Sequence, residues 1–321
     1  AFLFCIAVFI GPGFLLPAMQ TQTAATAVNV AFGLPFIVVG VIMTAIVAFV
    51  VMGGIKRIGQ VAEFLAPIMC GIYFLITLFI IIVNIGKVPG MFASIFASAF
   101  GKDAIFGGIV GSAVSWGIKR GFFSNDAGNG MSPLISATTD TSHPVKQGLV
   151  QMLSVFIDTL LLCTATAMMC MSSGIDPAKE LQGAPWVQAS LQESLGSFGP
   201  VFITVAMVFF AFTTLLGNCF YCDNLLIYIH KKQPGQSFMK SFRLVSALAI
   251  FLGAGMEMSL LWDLSDVLMG VMALINIPVI LILSGIALKA IRDYEAQLKK
   301  GINPVFKSAD IGLSQKTDFW R

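Results

Sequence analysis

The sequence has few charged residues, which make up 11% of its 321 positions, whereas a soluble domain carries about 25%. Hydrophobic residues make up 57% of the chain, and this balance excludes a water-soluble globule. The net charge is only +3, and basic residues do not alternate with aromatic ones along any segment, so nucleic acid is not expected as a partner. These features favour a protein whose surroundings are the lipid bilayer.

Histidine is also scarce, with two residues in the whole sequence. His143 and His230 are far apart and form no H-E-x-x-H pair, so a metalloenzyme would lack its ligand set. No Ser-His or Cys-His catalytic arrangement is visible, and we expect no enzyme. Cys219 and Cys222 form a C-x-x-C motif without a second pair of ligands. We interpret all six cysteines as small packing residues of apolar segments.

Eight apolar stretches reach the roughly 20 residues that a helix needs to cross the hydrocarbon layer. They lack an alternation of period two, which excludes a membrane β-barrel, so the predicted fold class is all-α, a polytopic membrane helical bundle. We expect a single transmembrane domain over residues 1–292 and a cytoplasmic tail over residues 293–321. The predicted spans are residues 1–29, 36–55, 61–85, 105–132, 147–173, 198–229, 241–260 and 264–288.

The loop charges predict the orientation of these spans, because Lys and Arg collect on the cytoplasmic side of a membrane. Fourteen basic residues lie in or beside the loops after spans two, four, six and eight. On the opposite side lie only Lys87, Lys102 and Lys179. We therefore expect a multi-pass protein of the cell membrane with both ends of this chain in the cytoplasm.

The fourth span contains residues that a lipid-facing helix cannot carry. Lys119, Arg120 and Asp126 lie within eight positions, and each would cost about 2.5–3.5 kcal/mol near the membrane midplane. Interior glycines weaken the helix by about 1 kcal/mol each. One interpretation is a helix broken at depth, whose freed backbone groups line a cavity, as in secondary transporters. The alternative is a structural cluster in which Lys119 and Arg120 pair with Asp126; the run of glycines favours the break.

Three other spans contain polar side chains, and each of these side chains has two possible roles. Thr213 and Thr214 in span six can bind an alkali cation with a backbone carbonyl one turn earlier, but threonines in membrane helices usually bond back to the carbonyl four residues before. Gln20 in span one either joins two helices or lines a binding site. Asp158 in span five is a lone carboxylate at membrane depth. We expect it to pair with a basic residue of span four, with a proton relay as the alternative.

Six short motifs in the chain are specific rather than compositional. They are residues 120–128 (RGFFSNDAG), 142–148 (SHPVKQG), 156–159 (FIDT), 18–20 (AMQ), 31–35 (AFGLP) and 53–58 (GGIKRI). Together they closely resemble the sodium:alanine (alanine or glycine:cation) symporter family over the whole chain. The resemblance implies the leucine-transporter-type fold, two inverted repeats of five helices whose first helices are broken at the substrate. Spans four to eight then form one repeat, and with only three spans before them the sequence is expected to be a C-terminal fragment.

The resemblance also implies roles for the polar residues. Gln20 and Asn125 are expected to hold the amino acid, with Gly121, Phe122 and Ser124 completing the site in the broken segment. The ligands of a sodium ion are expected from Thr213, Thr214 and Phe210. The expected polar core consists of Arg120, Asp126 and Asp158.

The expected function is sodium-coupled symport of a small neutral amino acid, alanine or glycine, by alternating access of one repeat against the other. Na⁺ is the coupling ion, and no other cofactor is expected. The partners are the amino acid, Na⁺ and the lipid bilayer. A cation channel is the alternative from another class, but it would need repeated loops or subunits that form rings of like groups. A membrane protein whose polar core is purely structural is the remaining alternative.

Overall fold

The computed structural model describes residues 2–100, 109–175, 183–232 and 234–313, and within these ranges it contains helices and turns but no strand. The all-α fold class is therefore confirmed. The helices are α1 (Phe2–Phe32), α2 (Phe36–Val51), α3 (Ile55–Val83), α4 (Val88–Phe100), α5 (Ile109–Ser124), α6 (Ser132–Ser136), α7 (Pro144–Ser172), α8 (Ala184–Leu195), α9 (Phe198–His230), α10 (Gln236–Gly253) and α11 (Met258–Lys299).

Five helices, α1, α3, α7, α9 and α11, are long and apolar enough to cross a membrane. The second, fourth and seventh predicted spans correspond to the shorter helices α2, α5 and α10. Helices α4 and α8 fall between predicted spans, and α11 continues to Lys299, beyond the predicted end of the transmembrane domain at residue 292. Large apolar side chains stay exposed on these helices, such as Leu274 and Ile282 on α11. The chain is therefore a multi-pass membrane bundle.

Helices α1 and α9 lie at the centre of the bundle. One apolar cluster joins them to α2 and α10, a second joins them to α11, and a third joins α9 to α3, α7 and α8. Small residues permit the closest approach. A Cβ added to Gly253 of α10 would lie 2.3 Å from the Cα atom of Ala18 in α1, so glycine is required where these two backbones meet.

Two of the long helices are locally widened. Helix α1 contains a π-helical turn at Gly11–Leu15, and α7 contains another at Ile157–Cys163. Pro12 and Pro17 explain the first turn, because neither can donate a hydrogen bond to the carbonyl four residues before. Turns of this kind re-aim the side chains that follow and occur often at functional sites.

The segment of residues 302–313, here called the docked tail, folds back onto the start of α7. The backbone N–H of Phe306 donates to the carbonyl of Ser142 at 2.9 Å, and Nζ of Lys146 donates to Oδ1 of Asn303 at 2.6 Å. Phe306 and Ile311 are buried against Ala290 of α11. The docked tail is thus packed against the loop that leads from α6 into α7.

His143 lies in this loop, with a fully buried side chain. Its Nδ1 accepts the N–H of Val145 at 3.2 Å and so caps the start of α7, while its Nε2 lies 3.3 Å from Oδ2 of Asp293 on α11. Burial lowers the pKa of His143, and the carboxylate of Asp293 opposes that shift. Because Nδ1 accepts a hydrogen bond, the imidazole is neutral with its proton on Nε2.

Candidate functional site

The fourth predicted span is broken. Helix α5 ends at Ser124, and residues 125–131 are not helical. Asp126, Gly128 and Gly130 have φ angles of 52°, 79° and 87°. Glycine adopts this left-handed conformation at no steric cost, and aspartate tolerates it better than most residues. The sequence therefore favours a turn here, and the observed backbone agrees with the broken-helix interpretation.

Contacts from two other helices hold the broken segment in place. Nδ2 of Asn276 in α11 donates to the carbonyl of Gly128 at 2.9 Å. A Cβ added to Gly130 would lie 2.7 Å from Cζ of Phe4 in α1. Asn129, which is almost fully buried, donates weakly to Oδ1 of Asp126 at 3.4 Å. The carbonyl of Gly128, which the break frees, thus finds a partner within the protein, as a hydrocarbon environment demands.

A central cavity of about 330 Å³ lies between the broken segment, α1, α9 and α11. Its size is at the lower end of the range for small-molecule sites, about 300–1,000 Å³. It brings together Gln20 of α1, Ser124 and Asp126 of the break, and Thr214 of α9. The complete lining is Leu16, Gln20, Phe123, Ser124, Asp126, Met131, Thr214, Gly217, Asn218, Tyr221 and Met269.

A second cavity of about 390 Å³, here called the lateral cavity, lies on the α7 side of the break. Asn125 and Asp158 line it, together with Gln151 and Ser154 of α7. Its wall also contains residues that border the central cavity, namely Ser124, Asp126 and Tyr221. The broken segment therefore separates two polar cavities.

Asn125 is bonded on both sides of its amide. Nδ2 donates to the carbonyl of Gly121 at 2.9 Å, and Oδ1 accepts the hydroxyl proton of Thr159 in α7 at 2.8 Å. Asn125 is not part of the lining of the central cavity. Its observed contacts join the broken segment to α7.

The expected pairing of Asp158 with a basic residue of span four is not observed among the described residues. Arg120 pairs with Asp266 of α11, with 2.9 Å between Nη2 and Oδ2, and not with Asp126 or Asp158. Asp158 instead accepts the hydroxyl proton of Ser124, and within the described part of the chain it forms no ion pair. The reason is position: Arg120 is one turn before the break and points toward α11, whereas Ser124 faces the π-helical turn of α7.

Besides Asn125, two more residues expected in the substrate site do not border the central cavity. Phe122 is 53% exposed and lines a separate groove with Ile277, whereas the next residue, Phe123, borders both that groove and the central cavity. Gly121 is helical, and a Cβ added there would meet no atom within 4 Å among the described residues beyond its own helix backbone. A position one residue away on a helix faces a different direction, which the motif alone does not resolve.

The two threonines of α9 share one carbonyl. The hydroxyls of Thr213 and Thr214 donate to the carbonyl of Phe210 at 3.0 and 2.9 Å. This is the back-bonding expected of threonine in a membrane helix. Each hydroxyl uses its proton in this bond, so the lone pairs of its oxygen stay free to bind a cation. Thr214 lines the central cavity, whereas Thr213 is not part of that lining.

The sequence analysis assigned no role to several residues that shape the cavities. Tyr221 borders both of them, Asn218 and Phe123 border the central one, and Asp266 holds Arg120. Asn218 and Tyr221 are polar residues in the otherwise apolar span six, and this is a signal that could have identified both of them. The partner of Arg120 is 146 positions away, and no local pattern points to it.

A membrane bundle with one span broken beside a polar cavity is the arrangement typical of one class of protein, the secondary membrane transporters. A family model described as "Sodium:alanine symporter family" matches residues 1–308, and the chain belongs to that family.

Three relatives illustrate the similarity. The chain is 37% identical to the amino-acid carrier protein AlsT of Bacillus subtilis over 99% of this chain and 67% of AlsT. It is 36% identical to the sodium/proton-dependent alanine carrier protein of Bacillus sp. strain PS3, over 98% of this chain and 74% of that protein. It is also 36% identical to the sodium/alanine symporter AgcS of Methanococcus maripaludis, over 84% of this chain and 59% of AgcS.

Proposed function

We propose that this protein couples the entry of Na⁺ to the uptake of a small neutral amino acid, alanine or glycine, by alternating access. The supporting observation is the central cavity, in which Ser124 and Asp126 of the broken segment meet Gln20 and Thr214 from two other helices. The family relationship supports the same conclusion, since relatives carry the names alanine carrier and amino-acid carrier.

The cavity offers complementary groups to both ends of an amino-acid zwitterion. The carboxylate of Asp126 suits the ammonium group, because charge-assisted hydrogen bonds are the strong ones. The amide of Gln20 can donate to the carboxylate, whereas the hydroxyl of Ser124 donates to Asp158 and offers its oxygen to the substrate as an acceptor. Asn125 then acts by holding the break against α7 through Thr159.

The sodium ion is proposed to bind at the hydroxyl oxygens of Thr213 and Thr214, beside the carbonyl of Phe210. Hydroxyl and carbonyl oxygens are the hard ligands that alkali cations prefer. The position of Thr214 in the cavity lining would bring the ion next to the substrate. Such proximity gives a direct physical basis for coupling, since each ligand stabilises the site of the other.

The driving force is sufficient with a single ion. A Na⁺ ion gains about 2.3 kcal/mol on crossing 100 mV, and a tenfold concentration gradient adds about 1.4 kcal/mol. The proposed setting is the cell membrane, with both ends of this chain in the cytoplasm as the loop charges indicate. The proposed movement is that of the repeat which begins with α5 against the rest of the bundle.

The test is uptake of labelled alanine and glycine into liposomes that contain the protein, with and without an inward sodium gradient. Gln20→Ala should weaken substrate affinity about tenfold, as expected for about one lost hydrogen bond to a charged group. Gln22→Ala is the matched control, because Gln22 accepts the hydroxyl proton of Thr26 and does not line the cavity. Sodium currents that do not saturate and do not depend on amino acid would indicate a channel and overturn the proposal.

A further inference from the structure

Helix α9 contains a buried amide without a partner. Asn218 is 3% exposed, and its Nδ2 atom has no hydrogen-bond partner among the described residues. Asn218 belongs to the lining of the central cavity. An unpaired buried donor costs stability unless something else satisfies it. The contents of the cavity can supply that partner.

The surroundings within the protein do not explain this amide. Its neighbours on the core side of α9, such as Leu215 and Cys219, are buried and apolar. Polar side chains in membrane helices usually bond back to the helix or across to a neighbour, as Thr214 does. Asn218 does neither within the described part of the chain, so its buried amide nitrogen stays without an acceptor although the residue borders the cavity.

The cavity also restricts the charge of the group that Asn218 would meet. A hydrogen-bond donor needs an acceptor, which a hydroxyl, a carboxamide or a carboxylate can provide. Asp126 already brings a carboxylate to the same cavity, and the proposed function places the substrate's own carboxylate at Gln20. An acidic side chain would add a further, unbalanced negative charge, which would be repelled. A neutral acceptor, a hydroxyl or a carboxamide, therefore fits best.

The size of the cavity allows a side chain longer than a methyl group. A water molecule occupies about 30 Å³ in the liquid, so the volume of about 330 Å³ corresponds to roughly eleven waters. Alanine has six non-hydrogen atoms. Space therefore remains for a substrate side chain that extends toward Asn218.

We propose that Asn218 is a specificity residue, which makes the site prefer amino acids with a neutral hydrogen-bonding side chain, a hydroxyl or a carboxamide, over aliphatic ones of the same shape. This inference rests on the proposed function and refines its substrate class. The physical basis is that a site with a buried polar group rejects analogues that leave the group unpaired.

The experiment compares the binding of isosteric amino acids to the purified protein in detergent with saturating Na⁺, by calorimetric titration. Asparagine is matched with leucine, and serine with 2-aminobutyrate, so each pair differs in polarity and hardly in shape. We expect the polar member of at least one pair to bind about tenfold tighter or more, as one hydrogen bond provides. Asn218→Leu should bring both ratios to within about threefold.

The control is Asn224→Leu, because Asn224 carries another buried unpaired amide on α9 but does not line the central cavity. It should leave the ratios unchanged. If Asn218→Leu does not give a folded protein, Asn218→Ala removes the amide without adding bulk or charge and should lower the ratios equally. Equal affinities within each pair for the unaltered protein, or ratios that survive both substitutions, overturn this inference alone. No binding of any amino acid would overturn the proposed function as well.

Discussion

Arg120 in α5 and Asp266 in α11 form an ion pair on the N-terminal side of the broken segment, with 2.9 Å between Nη2 and Oδ2. The guanidinium carbon of Arg120 also lies 4.2 Å from the centre of the Trp262 ring. Both charged side chains are partly buried, so the pair is less screened than one on an open surface. It fixes the end of α5 to α11 immediately before the backbone changes direction.

The first prediction concerns this pair. Arg120→Gln and Asp266→Asn should each destabilise the protein, and the double variant should lose less than the sum of the two. We expect a coupling energy of about 1 kcal/mol, because the pair remains partly solvated. Denaturant titrations of the four proteins in detergent micelles measure it. Lys119→Gln is the control, since Lys119 is exposed and has no ion pair in the described structure; additive losses would contradict the prediction.

The second prediction separates the glycines of the broken segment. Gly130→Ala should strongly reduce folding and uptake, because its φ angle is 87° and the new Cβ would lie 2.7 Å from the ring of Phe4. Gly121→Ala should be tolerated and should stabilise α5 by up to about 1 kcal/mol, since alanine is the better helix former. Thermal unfolding and the yield of monodisperse protein report both effects. Equal damage from the two substitutions would contradict the observed break.

The third prediction concerns Asn125. Thr159→Val removes the hydroxyl that donates to Oδ1 of Asn125, and Asn125→Ala removes the whole amide. If Asn125 positions the broken segment, both variants should lower uptake and thermal stability together, and Thr159→Val should reproduce a large part of the loss. A loss of substrate binding confined to Asn125→Ala, with normal stability, would instead assign the amide to the substrate.

The fourth prediction concerns the coupling ion. Thr214→Val removes a hydroxyl from the cavity wall, whereas Thr213→Val removes one that shares the Phe210 carbonyl but is not part of that wall. We expect Thr214→Val to raise the sodium concentration for half-maximal uptake about tenfold, and Thr213→Val to raise it less. Alanine affinity at saturating sodium should change little in either variant. Unaltered sodium dependence in both would remove the threonines from the proposed ion site.

The fifth prediction concerns pH. The pKa of His143 is lowered by burial, so the unfolded chain binds a proton at this residue more readily than the folded one. The folded state therefore loses stability as pH falls below about 6.5, the ordinary pKa of histidine. His143→Gln keeps a neutral polar group and should flatten this decline between pH 7 and pH 5. Thermal midpoints across that range provide the measurement, and an unchanged decline would assign it to other groups.

The position of the break could be predicted from sequence because its causes are local. Glycines and charged residues within an apolar span weaken the helix wherever that span lies in the bundle. The directions of individual side chains could not be predicted in the same way. Phe122 and Phe123 are adjacent in the motif, yet Phe123 borders the central cavity and Phe122 faces outward.

The partners of charged residues depended on the tertiary arrangement. Arg120 lies nearer to Asp126 in sequence than to Asp266, but the change of backbone direction after Ser124 takes Asp126 away from it. The π-helical turn in α7 similarly brings Asp158 to Ser124. Neither the break nor the turn changes the hydrophobicity pattern enough to reveal which residues meet.

The docked tail has a practical consequence for handling this protein. Its backbone and side chains complete hydrogen bonds at Ser142 and Lys146, and Phe306 lies against the ring of His143. Proteolysis after Gly301, or a deletion that stops at the end of α11, would leave those groups open to solvent. Affinity tags and fluorescent fusions are therefore better joined beyond residue 313 than in place of this segment, and a shortened protein should be easier to denature.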